Sequence, residues 1–436
     1  MDGLSLRAAV NTRGIRALAG ALAIASVAVA CTTEPRRDLP DVVIPPGTTP
    51  SASPALQPAE TTVPPNEGRL AVIDGSGSLV SLDPDGSDAV VLAAGTSSVG
   101  LRQPAWSPDG RRLAWVRLEV TGQEVVSTLA TSGPRGERPT GARAGFAPFY
   151  LSWDPTSSRV AFLGSPTPSL IELGLVEVAG GRAGIRSLDA GQPYYFSWAP
   201  TGEEMLVHVG TDRLERLGLD GTLSAVGEVP GAFRAPSWSA DGETMVYASL
   251  DGDVQRLILR DVASDVTREL LPFEGAISFL LSPDEARVAF QVSGDEGTSE
   301  PLSVIDLRSG EVRAIGPSPA AAFFWSPTGE RLLSLVADPD GDVPWFRWHV
   351  WDGMSDFAST RFLPSPTFAQ DYLAFFDQYA QSMTLWAPDG SAFAYPGLNE
   401  AGEAGIWVQE ARPNVAPVLV SDGGVLVTWS PALTSG

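Results

Sequence analysis

The chain has 436 residues, with 29 basic and 52 acidic side chains, a formal net charge of −23 and a single cysteine. So negative a surface repels polyphosphate and anionic headgroups, which argues against nucleic-acid binding and against electrostatic docking on a membrane. A single cysteine excludes an internal disulfide and a cysteine-ligated zinc site. The 45 glycines and 37 prolines favour an all-β fold with many short turns.

Residues 1–30 resemble a bacterial lipoprotein signal peptide. Three arginines precede an uncharged stretch at 17–30, which is too short to span a bilayer comfortably as a helix. The stretch ends in Ala-Val-Ala-Cys, which resembles the lipobox, where a cysteine receives diacylglycerol and becomes the new N-terminus. Ala28 stands where the lipobox usually has leucine, and an ordinary signal peptide followed by a buried cysteine is the alternative. The resemblance implies lipid attachment at Cys31 and an anchor on the extracytoplasmic face of a bacterial cell membrane.

Residues 31–68 form a region of different composition. Nine prolines lie between Cys31 and Glu67, among threonine, serine and alanine, with no hydrophobic periodicity. Such a segment cannot bury enough apolar surface to order itself. We therefore predict a disordered tether that holds a globular domain, residues 69–436, away from the membrane.

A short motif recurs eight times in residues 69–436. It begins at Trp106, Trp153, Trp198, Trp238, Leu281, Trp325, Trp386 and Trp429. Six of the seven spacings lie between 40 and 47 residues, and the spacing from Trp325 to Trp386 is 61. A period of this length predicts one small sheet per unit, and the four-stranded blade of a β-propeller is the best known β unit of that size. The Pro and Asp-Gly or Thr-Gly pairs that follow are the residues of tight turns between antiparallel strands.

The residues after each turn alternate between apolar and polar side chains, as a half-buried strand requires. The first unit, WSPDGRRLAW at 106–115, resembles the WD40-like (PD40) repeats of the TolB family throughout. Leu281 replaces the tryptophan, Ser157 and Glu285 replace the turn glycine, and Ser334 replaces the aromatic residue, so three units are degenerate. The resemblance implies a TolB-like β-propeller. It does not imply a function, because propellers include both enzymes and binding proteins.

The ends of the domain predict how the ring closes. The last motif, at residues 425–431, has no room for further strands before Gly436, whereas strands at residues 69–73, 78–82 and 89–94 precede the first motif. An unpaired C-terminal strand would expose its hydrogen-bonding edges. We therefore predict that the N- and C-terminal strands share one blade, which gives eight four-stranded blades, or seven if one degenerate unit is an insertion.

Residues that perform chemistry are scarce. His208 and His349 fall on predicted strands, where a single histidine is more often a packing or surface residue than a ligand. The aspartates at 83–88 and 338–342 resemble calcium loops, but neither run has the glutamate that completes such a loop, so solvated hairpin turns are favoured. No nucleophile elbow, phosphate loop or zinc-helix motif is present. The sequence therefore predicts no catalytic residue, no metal and no cofactor.

The long spacing before Trp386 contains a candidate binding surface. Ser365 is a plausible N-cap, Pro366 suits the first helical position, and the aromatic residues that follow have helical spacing, which predicts one amphipathic helix of about four turns at residues 365–381. These aromatic residues are Phe368, Tyr372, Phe375, Phe376 and Tyr379. The helix either folds back over its own blade, covering one of three nearby tryptophans, or leaves part of this cluster exposed to dock a partner. The tryptophans are Trp345, Trp348 and Trp351, which could also form a ligand-stacking wall.

Two functions remain open. In the first, the protein is a non-catalytic, lipid-anchored propeller that binds another envelope protein or an exported ligand. In the second, it is an extracytoplasmic hydrolase or lyase that uses carboxylates on the funnel face of the propeller. The lack of catalytic motifs favours the first function.

Overall fold

The computed structural model describes residues 68–178, 184–294, 298–316, 318–338 and 345–431. The predicted signal peptide, Cys31 and the tether as far as Glu67 lie outside these residues. Within the part described, the chain folds into short antiparallel strands whose buried positions are mostly valine, leucine, alanine and aromatic residues. Such residues fill both faces of a sheet that packs between two others.

The first strands of the chain belong to its last blade, and the next ones form blades 1 to 3. The chain begins with β1 (Leu70–Ile73), β2 (Leu79–Leu82) and β3 (Val90–Ala93). Blade 1 has β4 (Val99–Trp106), β5 (Leu113–Thr121), β6 (Glu124–Ser132) and β7 (Thr140–Ala144). Blade 2 has β8 (Pro148–Trp153), β9 (Arg159–Thr167), β10 (Leu170–Glu177) and β11 (Ile185–Gly191). Blade 3 has β12 (Tyr194–Trp198), β13 (Glu204–Val209), β14 (Arg213–Gly218) and β15 (Leu223–Ala225).

Blades 4 to 6 follow the same order, with a broken first strand in blade 4. Blade 4 has β16 (Val229–Pro230), β17 (Ser237–Trp238), β18 (Thr244–Asp251), β19 (Val254–Asp261) and β20 (Thr267–Phe273). Blade 5 has β21 (Ala276–Leu281), β22 (Arg287–Ser293), β23 (Ser303–Asp306) and β24 (Val312–Ala314). Blade 6 has β25 (Ala320–Trp325), β26 (Leu332–Ala337), β27 (Phe346–Trp351) and β28 (Asp356–Ala358).

Blades 6 and 7 share one continuous sheet, because β29 (Phe362–Pro364) pairs with β27 on one side and with β30 on the other. Blade 7 begins with isolated bridges at Thr384 and Trp386, followed by β30 (Ala392–Asn399), β31 (Ala404–Glu410) and β32 (Val418–Asp422). The final strand, β33 (Leu426–Trp429), pairs with β1. Counted over the described residues, the sheets therefore make eight blades, and the predicted β-propeller is confirmed.

Ring closure follows the predicted pairing. Strand β33 runs antiparallel to β1, with Leu70 opposite Trp429 and Ile73 opposite Leu426, and β2 and β3 continue the same sheet. The strand that ends in the motif tryptophan is the innermost strand of its blade, since β4 packs beside both β8 and β33. The C-terminal strand therefore lines the central channel of the ring, and the N-terminal strands complete its blade outward.

The motif turn keeps its geometry where its sequence is degenerate. Gly110 has φ of 68°, in the left-handed region that glycine enters without strain. Ser157 and Glu285, which replace this glycine, both adopt φ of 58°. The surrounding blade therefore imposes a left-handed conformation on two residues that do not favour it.

The motif tryptophans join neighbouring blades. At four interfaces the indole Nε1 donates a hydrogen bond to a main-chain oxygen of the preceding blade. These bonds run from Trp106 to Thr428 (3.3 Å), Trp153 to Ala105 (2.9 Å), Trp325 to Leu280 (3.1 Å) and Trp386 to Phe324 (3.1 Å). The buried tryptophan thus supplies both apolar volume and a directional contact between blades.

Candidate functional site

The segment at residues 365–383, here called the channel segment, lies inside the ring. It is helical as the sequence predicts, but in three short pieces: a π-helix at Phe368–Tyr372, a 3₁₀ turn at Leu373–Phe375 and α1 at Phe376–Tyr379. The Ser365 hydroxyl accepts a hydrogen bond from the Phe368 N–H (3.2 Å) at its start. The changes of helical pitch turn its aromatic residues toward several blades instead of along one stripe.

Aromatic contacts attach the channel segment to both sides of the channel. The ring of Tyr379 lies 5.1 Å from that of Tyr150 in blade 2. On the other side, the ring of Phe376 lies 4.7 Å from that of Phe323 in blade 6. Burial of such aromatic rings is a major stabilising contribution. The segment therefore fills the channel, whereas the sequence left open only a cover over its own blade or an exposed docking helix.

Polar contacts fix the segment against blades 2, 3 and 4. The Gln378 side-chain amide donates to the Tyr150 hydroxyl (2.9 Å) and to the Phe196 carbonyl oxygen (2.8 Å), and it accepts from the Phe196 N–H (2.9 Å). The Gln381 amide donates to the Pro236 carbonyl oxygen (2.9 Å). These bonds satisfy main-chain groups that the innermost strands would otherwise leave unpaired in a buried place.

The expected docking surface is mostly buried in this arrangement. Trp348 is fully buried and its ring packs against those of Phe362 and Phe324, while Trp351 packs against Trp325. Phe376 and Tyr379 are buried in the channel, and Trp345 is half-buried. Of the six aromatic residues singled out for partner binding, Phe375 alone exposes a large fraction, 43%. The tryptophans and the channel segment meet through Phe324 but form no common exposed wall, because both sets fill apolar space.

A cavity of about 440 Å³ remains at the end of the channel where the motif turns lie. Its floor is the end of the channel segment, including Ala380, Gln381 and Met383. Its wall consists of motif residues from successive blades, with four prolines among them. The wall tryptophans are Trp153, Trp198, Trp238 and Trp325, and the wall serines are Ser152, Ser197, Ser237, Ser239 and Ser282.

The cavity wall is electrically neutral, although the chain as a whole is strongly acidic. None of the described lining residues has a side chain that ionises near neutral pH. Aspartate side chains of the motif turns form hydrogen bonds within their own turns. In one example, the Ser239 hydroxyl donates to Asp241 (2.6 Å). This bond, with the Glu243 N–H, lowers the pKa of Asp241 below its ordinary value. The arrangement suits an uncharged ligand with apolar and hydrogen-bonding groups.

The sequence contains a signal for this cavity in the residues that flank the motif tryptophans. Three of the wall serines, Ser152, Ser197 and Ser237, each precede a motif tryptophan directly, and all motif turns lie at the same end of the channel. Residues at equal positions in successive repeats form a ring in a propeller. The motif could therefore have predicted a neutral Trp, Ser and Pro lining, although its floor comes from outside the repeat.

The remaining candidate residues have structural roles. His208 is buried, and its Nδ1 lies 3.1 Å from the Arg234 carbonyl oxygen, while His349 pairs with Asp356 (2.8 Å). Asp85 accepts hydrogen bonds from Ser87 within its turn, which lower the pKa of its carboxyl. Over the described ranges, no group of three or more His, Cys, Asp or Glu residues is arranged to hold a metal ion. Over the same ranges, no helix has the length and apolar character needed to cross a membrane.

Solved structures similar to this chain are β-propellers, while no protein-family model and no curated protein matches it. TolB from Acinetobacter baumannii is 13% identical, over 72% of this chain and 81% of its own, with a TM-score of 0.40. Oligogalacturonate lyase in complex with manganese is 12% identical, over 75% and 86%, with a TM-score of 0.48. The β-propeller domain of the Trilobed protease from Pyrococcus furiosus is 10% identical, over 75% and 99%, with a TM-score of 0.44. The likeness concerns the architecture, which both enzymes and other proteins share.

Proposed function

We propose that this chain is a non-catalytic binding protein of the bacterial cell envelope, which holds an uncharged segment of a partner protein, or an uncharged exported ligand, in the central cavity. The observation that carries the proposal is the chemistry of the cavity wall. Indole and proline rings alternate there with hydroxyl and amide groups, and no ionisable side chain occurs among the described lining residues. Cavities of this volume and lining are typical of ligand sites.

The same wall argues against catalysis in the cavity. A serine hydroxyl becomes a nucleophile only beside a general base, and the carboxylate that Ser239 meets is a weak one, because hydrogen bonds lower the pKa of Asp241. A glycoside hydrolase that works through carboxylates uses a pair of them flanking the scissile bond. The described lining residues supply none. Binding is therefore the better supported of the two functions considered.

The cavity proposal can be tested at Ala240, an exposed lining residue. Ala240→Arg adds a charge and bulk at the cavity, and the matched control Ala263→Arg makes the same change at an exposed turn that does not line it. We expect affinity capture from envelope extracts to recover a specific partner with wild type and with Ala263→Arg, and about tenfold less with Ala240→Arg. Equal recovery with both variants would exclude the cavity as the site. Turnover of an envelope polymer that Ala240→Arg abolishes would favour the enzyme.

The proposal includes a lipid anchor at Cys31 and a position on the extracytoplasmic face of the cell membrane. Its support is the lipobox-like sequence at residues 28–31, followed by a proline-rich segment without hydrophobic periodicity. We expect Cys31→Ser to move the protein from the membrane fraction to the soluble fraction. Ala28→Leu, which restores the usual lipobox residue, should stay in the membrane fraction. Membrane retention of Cys31→Ser at the wild-type level, with no lipid on the native N-terminus, would contradict the anchor.

A further inference from the structure

Asp377 is a carboxylic acid buried inside the channel. It lies in α1, is 2% exposed, and its Oδ2 has no hydrogen-bond partner among the described residues. Its Oδ1 accepts a hydrogen bond from the neighbouring Gln378 N–H (3.1 Å), and the Ala235 N–H also faces the carboxyl. An ionised carboxylate in such a place loses its hydration without an equal replacement. The geometry therefore favours the protonated form.

The groups that face Asp377 do not supply a compensating ion pair. Arg234, in the loop before β17, is the nearby cation, but its Nε donates to the Ile277 carbonyl oxygen (2.6 Å), and it forms no hydrogen bond with Asp377 within the described chain. Tyr195 of β12 and Tyr150 of β8 are the other titratable neighbours. Strands β21 and β25, which also pack against α1, consist of residues that do not ionise.

We propose that the channel segment is a pH-sensitive closure of the channel, which stays in place while Asp377 keeps its proton and loosens when that proton is lost. The side chain of the next residue, Gln378, makes three of the hydrogen bonds that hold the segment to blades 2 and 3. The residues that follow, Ala380 and Gln381, form the floor of the cavity. Movement of the segment therefore changes the cavity, and this regulatory role rests on the proposed function of that cavity.

The direction of the effect follows from the proton balance. Burial raises the pKa of Asp377 above its ordinary value of 3.8, although Arg234 acts in the opposite direction. When the segment leaves the channel, the carboxyl regains water and its ordinary pKa. The closed form therefore binds a proton that the open form releases, so that closure is strongest at acid pH and weakens as the pH rises between the two values.

Hydrogen exchange of the amides at residues 366–383 measures this opening without any ligand. After correction for the intrinsic rate, we expect the opening equilibrium of wild type to increase by up to about tenfold per pH unit in the range above the ordinary carboxyl pKa. Asp377→Asn, whose amide matches the neutral carboxyl in shape, should remain protected across that range. The control Asp371→Asn removes the other carboxyl of the segment, which is only partly buried but whose pKa burial also raises, so it should reduce the dependence without abolishing it.

Each other outcome overturns the proposal. A flat profile for wild type, an unchanged profile for Asp377→Asn, or loss of the dependence in Asp371→Asn would assign no closure to Asp377. Failure of Asp377→Asn to fold would also count against it, because a neutral side chain of the same shape should be tolerated where the protonated acid is. The result is separate from the test at Ala240, since exchange needs no partner and the Ala240→Arg variant leaves Asp377 unchanged.

Discussion

The motif tryptophan makes different contacts at the interface between blades 1 and 2 and at the interface between blades 2 and 3. At the first, the Trp153 indole donates to the Ala105 carbonyl oxygen at 2.9 Å. At the second, the Trp198 indole N–H is buried without a partner, and Trp238 between blades 3 and 4 is in the same state, as far as the described residues go. A buried donor without a partner costs about 1 to 3 kcal/mol, so the two kinds of interface differ in strength.

The glutamine side chains of the channel segment bond to the blades at two interfaces where this indole contact is missing. Gln378 connects Tyr150 of blade 2 to Phe196 of blade 3, and Gln381 bonds to the Pro236 carbonyl oxygen just before the short β17. The Trp429 indole, between blades 7 and 8, also has no hydrogen-bond partner among the described residues. The main-chain N–H of Trp429 donates to the Thr384 carbonyl oxygen (2.8 Å), directly after the channel segment. The comparison teaches that part of the ring is joined by its own repeats and part by an insertion.

The largest expected effect comes from removing the interface that closes the ring. Deletion of residues 425–436 removes β33, with fully buried Trp429 and Val427, and unpairs β1. Loss of the tryptophan alone costs about 3 to 5 kcal/mol, a large part of the stability of a typical domain. We expect the melting temperature to fall by more than about 10 °C and a peptide of residues 425–436 to restore part of it. An unchanged melting temperature would show that this pairing does not stabilise the ring.

The next largest effect tests the polar bridge between blades 2 and 3. Gln378→Ala removes three hydrogen bonds and leaves the buried main-chain groups of Phe196 unpaired, while the Tyr150 hydroxyl keeps its bond to the main-chain oxygen of residue 378 (3.1 Å). The change should cost about 4 kcal/mol in the free energy of unfolding. The matched control is Gln370→Ala in the exposed part of the same segment, which should cost less than about 0.5 kcal/mol. Equal losses in denaturant titrations of the two variants would refute the bridge.

Acid should weaken the interface between blades 3 and 4 selectively. Burial lowers the pKa of His208 to about 4 from its ordinary 6.5, and its Nε2 has no partner within the described chain. The unfolded chain therefore takes up the proton first, so that stability present above about pH 6.5 declines by about 3 kcal/mol as the pH falls to about 4. His208→Gln should flatten this part of the stability profile in urea titrations. An unaltered profile would mean that other groups cause the acid sensitivity.

The smallest effect compares the indole donors directly. Trp153→Phe removes the hydrogen bond to Ala105 and should cost about 1 kcal/mol more than Trp198→Phe, which removes a donor that has no partner. Both changes delete the same volume from a similarly buried site, so the difference in denaturation midpoints isolates the indole contact. Equal costs would imply that the tryptophans act through volume alone.

The sequence predicted the ring well because a propeller repeats one unit. The nearly regular spacing of the motif, together with the strand pattern before Trp106 and after Val425, predicted eight blades, with seven as the alternative, and the pairing of β1 with β33. The motif turns tolerate Ser157 and Glu285 because the blade imposes the required φ. Where the turn glycine is present, as at Gly110, local preference and the fold agree, which is why the motif predicts the turn.

The position of the insertion inside the channel could not be predicted from the sequence in the same way. Helical spacing from Phe368 to Tyr379 identifies an apolar face, but periodicity does not say which surface that face meets. The answer depends on Gln378 and on main-chain groups of Phe196, more than 180 positions away in the chain. Asp377 looked like one acidic residue among many, because its burial follows only from the three-dimensional path of the segment.

The shared blade also sets an order of events during synthesis. Strand β1 is made first, and its partner β33 is made last, with Leu70 and Trp429 separated by 359 positions in the chain. Until β33 emerges, β1 to β3 have an unpaired inner edge, which is a site for pairing with other chains. Completion of the ring therefore follows the formation of the other blades, and contacts of such long sequence separation fold slowly. Among the described strands, the inner edge of β1 is therefore the one that waits longest for its partner.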